Sequence, residues 1–499
     1  MMMKIKPALY IISLLLLGFS CQKDDKFLSD AVPSYLSASE PITNADLQSL
    51  TYGNFFAFTG FSQQGSPFDG IISYPILASG ECDQISIAAN TSYRNMDHWF
   101  TRKNEDVDLA TKDFWTHIYY VTNQASLVIS KLGQFTDKVE IEPILEGQNR
   151  FLRALTNYAG VLCFGAPYGS DNSSRAIILY DEKSLSTGPK DLRSRNTVEE
   201  VYTAIINDLK IAIEKLPLTW DSAADPTMAK YKILPYKAAA QMLLARVYFN
   251  MGKEHWNDAL PLINTVLGYS QYGLEADPRN AYDLPKGVIP GKETIWCYSN
   301  EWWSYHDSPF IWNLLYEPNA SVFTMHPGFG RAYPISQQML NYMGWNDQAE
   351  ASKDLRYTRN FIRFEAGNDP LIAYQTLNKA YVWPLKYEVS FRASLSMMRL
   401  AEMYLDKAII LFNSGDKTGA ASALKVIRDR AGLPEISATA ITEEDIHKER
   451  AKEMIFEGDW LRYLQCQRKD IPGTTTLKWN DSSLVLPVPL EERTYNPNI

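Results

Sequence analysis

The chain has 499 residues, 45% of them hydrophobic and 12% aromatic, with a formal net charge of -9. This length and apolar content place it among globular proteins with a large core, in one or two interlocked domains. The acidic balance, with no Lys/Arg cluster, argues against nucleic acid as a partner. At the start, Lys4 and Lys6 precede an apolar segment from Ala8 to Leu17, followed by the small residues Gly18 and Ser20 and then Cys21. That is the three-part layout of a secretory signal. The segment is about half of the roughly 20 residues a spanning helix needs, and no later stretch is long and uncharged enough to span either. Residues 1–20 are therefore expected to be a signal peptide and 21–40 a tether. The remainder, 41–499, is expected to be one α-helical domain, with an N-terminal part of about 41–270 and an insertion-rich and C-terminal part of about 271–499.

Cys21 at the cleavage point resembles the lipobox of bacterial lipoproteins, whose thiol is acylated, although Gly18 stands where such boxes usually carry Leu. The following Lys23, Asp24 and Asp25 resemble the tag that sends lipoproteins to the cell surface in Bacteroidetes-type bacteria. The other four cysteines, at 82, 163, 297 and 466, form no Cys-x-x-Cys pair and suit buried single thiols. Six dispersed histidines offer no zinc-type spacing, so neither a metal nor a cofactor is expected.

Hydrophobic periodicity predicts helices in hairpins. From Thr197, residues Val201, Ile205, Leu209, Ala212, Ile213 and Leu216 recur at three- and four-residue steps, Glu200 completes a capping box with Thr197, and Pro217 ends the run. Next, Ala240, Leu244, Val247, Tyr248 and Met251 share a face that breaks at Gly252 and resumes with Trp256, Ala259, Leu260, Ile263 and Val266. A third pair runs from Met397 through Leu400, Ala401, Tyr404, Ala408 and Leu411 to Gly415, then through Ala420, Ala423, Leu424 and Ile427 to Gly432 and Pro434. These pairs look like tetratricopeptide hairpins, but a 34-residue period fails between them. Long insertions, mainly 51–110, 165–195 and 268–395, separate them.

Two constellations carry candidate chemistry. Glu449, Glu453 and Glu457 recur every four residues near Arg450 and Arg462, spaced to lie along one helix face. Acid/base or metal work is one reading, but carboxylates so placed need cations, and Arg399 or Arg428 on adjoining helices would supply them in a structural network. Arg150 and Arg153 invite the same structural reading. There is no Gly-x-Ser-x-Gly elbow, His-Glu-x-x-His motif or phosphate loop. The second constellation is aromatic: Trp302, Trp303, Tyr305, Phe310, Trp312 and Tyr316 fall within one stretch, and Tyr93 and Trp99 in another. Exposed flat rings are platforms for the apolar faces of sugars, so Tyr93, Trp99, Trp302, Trp303 and Tyr305 are candidate ligand contacts; packing of loops onto helices is the alternative.

Six stretches resemble the SusD/RagB family of outer-membrane, nutrient-binding lipoproteins, in that family's order. They are Cys21 to Pro33, FWTHIYYVTNQASLVI around Trp115, GQNRFLRALTNYAGVLCFGAPY around Arg153, residues 198–217, residues 397–434, and HKERAKEMIFEGDWLRYLQCQR at 447–468. The resemblance implies a mostly α tetratricopeptide-like scaffold with loop-rich insertions. It implies a lipid-anchored protein of the outer membrane, facing the exterior, that captures oligo- or polysaccharide without catalysis and passes it to a SusC-like TonB-dependent transporter. A surface glycan-degrading enzyme, or a family member that captures peptides or glycoproteins, remains the alternative.

Overall fold

The computed structural model describes residues 43–58, 66–84, 96–185, 192–218, 232–282, 290–299, 333–368, 376–377, 379–386 and 394–499. Its frame is a succession of helices: α1 Asn44–Ala57, α2 Leu109–Lys131, α3 Glu142–Phe164, α4 Val198–Lys215, α5 Lys237–Met251 and α6 Trp256–Leu267. After the long insertion come α7 Leu400–Asn413, α8 Lys417–Arg430, α9 Glu443–Met454 and α10 Trp460–Cys466. From α1 to α8 each helix packs on the next, and α6 meets α7 directly although the insertion separates them in sequence.

The local signals are where the sequence puts them. Thr197 caps α4, accepting from the Glu200 N–H while the Glu200 carboxylate accepts from the Thr197 N–H. Gly252 closes α5 at φ +112°, a left-handed-side conformation costly for any residue with a Cβ, and the chain turns at once into α6. Two expectations are corrected. Met397 belongs to a strand, since α7 begins only at Leu400. The described residues of the first insertion are largely helical: α1 runs on to Ala57, and short helices follow at Pro67–Ile71, Ser73–Ala78 and Met96–Thr101.

The third insertion carries the described strands. β1 (Thr294–Ser299) pairs antiparallel with β4 (Ser394–Arg399), and β2 (Phe361–Phe364) with β3 (Tyr381–Pro384). Trp296 on β1 ties this sheet to the scaffold: its ring is buried against Phe58 and Phe151, and its Nε1 donates to the Ile233 carbonyl at 2.6 Å. One hydrophobic core runs from Phe55 to Val488 through all ten helices of the frame. Cys82, Cys163, Cys297 and Cys466 are buried thiols in no disulfide among the described residues, and burial pushes Cys163 up to about 11 and Cys297 and Cys466 to about 12. Among the described residues, no helix is long and apolar enough to cross a membrane.

Candidate functional site

The carboxylates of α9 enter a buried ionic knot that gathers remote segments. Glu453 faces Arg399 at 2.6 Å and Arg356 at 3.4 Å, with Arg430 on a third side. Glu449 meets Arg356 at 2.5 Å and Arg428 at 2.6 Å. Glu457 bonds Arg399 at 2.6 Å and Lys386 at 2.7 Å. Glu293, just before β1, receives Arg399 and Arg430 at 2.9 Å each, and Asp354 takes Arg356 at 2.7 Å. Five carboxylates thus meet Arg356, Lys386, Arg399, Arg428 and Arg430, with Lys452 as a sixth cation 3.9 Å from Asp354. Burial alone would push Glu453 up, but Arg430, Arg399 and Arg356 together hold it well below the usual carboxylate range. Burial pushes Lys386 down despite Glu457.

This geometry is a framework. Glu449, Glu453 and Glu457 spend their oxygens on guanidinium or ammonium groups, so none of the three stands as a free acid or base. One detail departs from the sequence reading: α9 ends at Met454, so Glu457 lies past the helix, after Phe456 at φ +64°. The Phe456 N–H donates to Glu81 at 2.7 Å, which holds that turn against the segment after the Ser73–Ala78 helix. Of the two nearby arginines, Arg450 pairs with Asp406 and Asp459, while Arg462 reaches Gln465 and the Cys163 sulfur. Arg150 and Arg153 also read as framework: Arg153 grips Asp208 with two bonds of 2.7 Å, and both arginines reach Glu182. Burial raises Glu182, yet a backbone N–H and the two arginines bring it down to about 2.

Of the aromatic candidates, the structure describes Trp99 alone. It has no exposed surface, its ring stands edge-on to Tyr74 at 5.6 Å, and its Nε1 donates to Thr111 Oγ1 at 3.2 Å. The short Met96–Thr101 helix turns this ring inward, so Trp99 is a packing residue and not a platform. Tyr93, Trp302, Trp303 and Tyr305 lie outside the described residues, as does Cys21. Sequence reasoning missed Glu81, Glu293 and Lys386, which no local spacing marks. It also missed the approach of His98, Glu105 and Asp108, whose donor atoms lie within 4.8 Å of one another. Asp108 already bonds His98 Nδ1 and the Glu105 N–H at 2.8 Å each, as in an ordinary turn.

These features define a class: a mostly helical scaffold whose densest ionisable cluster holds the insertion in place. A family profile described as "Starch-binding associating with outer membrane" matches residues 76–249, and one described as "SusD family" matches 390–465. SusD-like protein P2 of Formosa agariphila is 28% identical over 244 residues, 48% of this chain and 43% of that protein, so the match spans under half of the relative's length. Among solved structures, a SusD superfamily protein from Bacteroides thetaiotaomicron superposes with a TM-score of 0.73 at 20% identity, covering 92% of this chain and 99% of that one. Surface glycan-binding protein A from Bacteroides uniformis gives 0.68 at 18%, covering 92% and 99%. A putative sugar binding protein from Bacteroides vulgatus gives 0.71 at 20%, covering 92% and 98%. At such identities these structures speak for the fold. The two profiles, which together match half of the chain, assign it to the SusD/RagB family.

Proposed function

We propose that this protein is a non-catalytic, cell-surface glycan-binding lipoprotein that captures oligo- or polysaccharide and passes it to a SusC-like TonB-dependent outer-membrane transporter. Family membership carries the reading, and the names of two structural relatives, a surface glycan-binding protein and a putative sugar binding protein, agree with it. That Glu449, Glu453 and Glu457 are consumed by framework pairs supports binding over hydrolysis at this cluster, since glycosidic cleavage needs two carboxyl groups free to face the bond. In this proposal residues 1–20 are removed, Cys21 is acylated in a tether that runs to residue 40, and 41–499 is the binding body. Tyr93, Trp302, Trp303 and Tyr305 supply stacking surfaces, and Trp99 leaves that set because it is buried.

The test is affinity electrophoresis against plant, microbial and host glycans, with released reducing ends measured in parallel. Retardation by at least one glycan without new reducing ends is expected, and Trp302→Ala/Trp303→Ala abolishes it while the thermal midpoint stays within about 2 °C. Reducing ends released by the purified protein sink the binder-only reading. Unchanged retardation of the double variant sinks the platform assignment.

A further inference from the structure

Between the 165–195 segment and the last residues of the chain lies an open groove of about 800 Å³, with Phe164 at the end of α3 in its floor. The side-chain charge of its lining is three arginines, Arg175, Arg195 and Arg493, against the single carboxylate of Asp106. Arg493 takes that carboxylate. Arg175 and Arg195 form no ion pair among the described residues, although the Arg175 charge acts on the Glu200 carboxylate from outside the groove; two cations thus share one groove of a chain whose formal charge is -9.

Their geometry is fixed reciprocally. Arg175 Nη1 donates to the Arg195 carbonyl at 2.8 Å, and Arg195 Nη1 donates to the carbonyls of Arg175 and Ala176 at 3.2 and 3.3 Å. The arrangement holds two like charges side by side, and it leaves Arg195 Nε buried without a hydrogen-bond partner. Burial first, with the Arg175 charge in a lesser part, lowers the Arg195 pKa. An oxyanion relieves this repulsion, because guanidinium forks bind carboxylate and sulfate oxygens with the strongest hydrogen bonds a side chain offers. Beside the arginines, the half-buried Val485 and Pro487 present an apolar wall, and Ser174 and Ser482 add hydroxyls. Apolar wall, few polar groups and a volume within the range of ligand sites are the ingredients of a small-molecule pocket.

We propose that this groove binds an acidic saccharide segment, with its carboxylate or sulfate on Arg175 and Arg195 and its ring faces on Val485 and Pro487. The proposal rests on the saccharide-capture reading and names the substrate class of a second site, apart in sequence from the aromatic stretches.

The test is isothermal titration of the full chain with oligogalacturonate, a sulfated galactan oligosaccharide and a neutral oligosaccharide of equal length. At least one acidic probe binds, more weakly as salt rises. Arg175→Gln lowers that affinity by at least about tenfold, the loss of a charged hydrogen bond, and Arg175→Lys lowers it less. Arg175 is exposed, so the variant keeps the wild-type thermal midpoint. Binding of oligogalacturonate alone assigns carboxylate as the anion, and of the sulfated probe alone, sulfate. Acidic binding that Arg175→Gln leaves intact, or binding of the neutral probe only, overturns the groove proposal and leaves saccharide capture standing. Failure of all three probes here together with every glycan on the affinity gels overturns both.

Discussion

Replacing Glu453 by Gln tests whether the ionic knot is a balanced unit. The side chain is 2% exposed and lies among Arg356, Arg399 and Arg430, while its own carbonyl accepts from Lys386 and Arg399 at 2.9 Å each. Gln keeps the shape but leaves six cations, Lys452 at the edge included, against four carboxylates, Glu293, Asp354, Glu449 and Glu457, and turns an amide N–H₂ toward guanidinium donors. Removing one partner from a buried ion cluster costs about 3–5 kcal/mol. One pair at 4 Å is worth about 4 kcal/mol at an effective dielectric of 20, which agrees. With a urea m-value of about 3 kcal/mol/M, the unfolding midpoint falls by about 1 M or more at unchanged m. The control is Lys425→Ala, which breaks an exposed pair of 2.8 Å with Asp429 and is expected to cost about 0.3–0.5 kcal/mol. A loss for Glu453→Gln no larger than for the control would refute the reasoning, because the knot would then be as well solvated as the surface.

Two further outcomes follow from the turn that joins α9 to α10. Burial pushes the Glu81 carboxyl from 4.5 to about 8, so the folded state holds its proton more tightly than the unfolded chain does; stability is full below pH 4.5 and declines as pH rises to about 8. At 1.36 kcal/mol per unit the decline is at most about 5 kcal/mol. Glu81→Gln, which keeps an acceptor for the Phe456 N–H, should flatten the fall in calorimetric midpoint between pH 5 and 8.5, and parallel curves for the two proteins would exclude the role. Gly458 has φ +74°, and a Cβ there would lie 2.2 Å from the Ile71 carbonyl oxygen, so Gly458→Ala sets backbone against backbone. It is expected to cost more than about 3 kcal/mol, whereas Gly415→Ala, at φ +91° in open space, costs only about 1 kcal/mol. Equal urea midpoints for the two alanine variants would contradict this.

The hairpins were legible because apolar spacing and caps are local: Thr197, Glu200 and Gly252 act within one turn of themselves. Glu449 and Glu453 were legible for the same reason, as were the arginines proposed to meet them. Glu457 was misplaced because the turn at Phe456 is held by Glu81, a residue 375 positions away. Met397 was read as helical because it is spaced with Leu400, Ala401 and Tyr404 as on one helix face, and only pairing with β1 makes it a strand. Trp99 shows why composition cannot sort rings: an aromatic that packs and one that waits for a sugar look alike until burial is known. The arginines of the groove carry no signal in the sequence, since Arg175 and Arg195 become a pair only through the backbone bridge between Arg175 and Thr197.

The direct contact between α6 and α7 makes the third insertion a cassette. Helix stacking does not depend on how many residues are threaded out between them, and doubling such a loop costs only about 0.6 kcal/mol of closure entropy. What the cassette must preserve is its moorings, Trp296 in the core and Glu293, Arg356 and Lys386 in the knot. Tyr333, Trp345, Phe361 and Val382 of the same insertion are also buried in that core, so among the described residues only the exposed positions between these fixed points can change at little cost. In the proposed function, a lineage exchanges one ligand for another at those exposed positions, with the buried moorings of the frame kept.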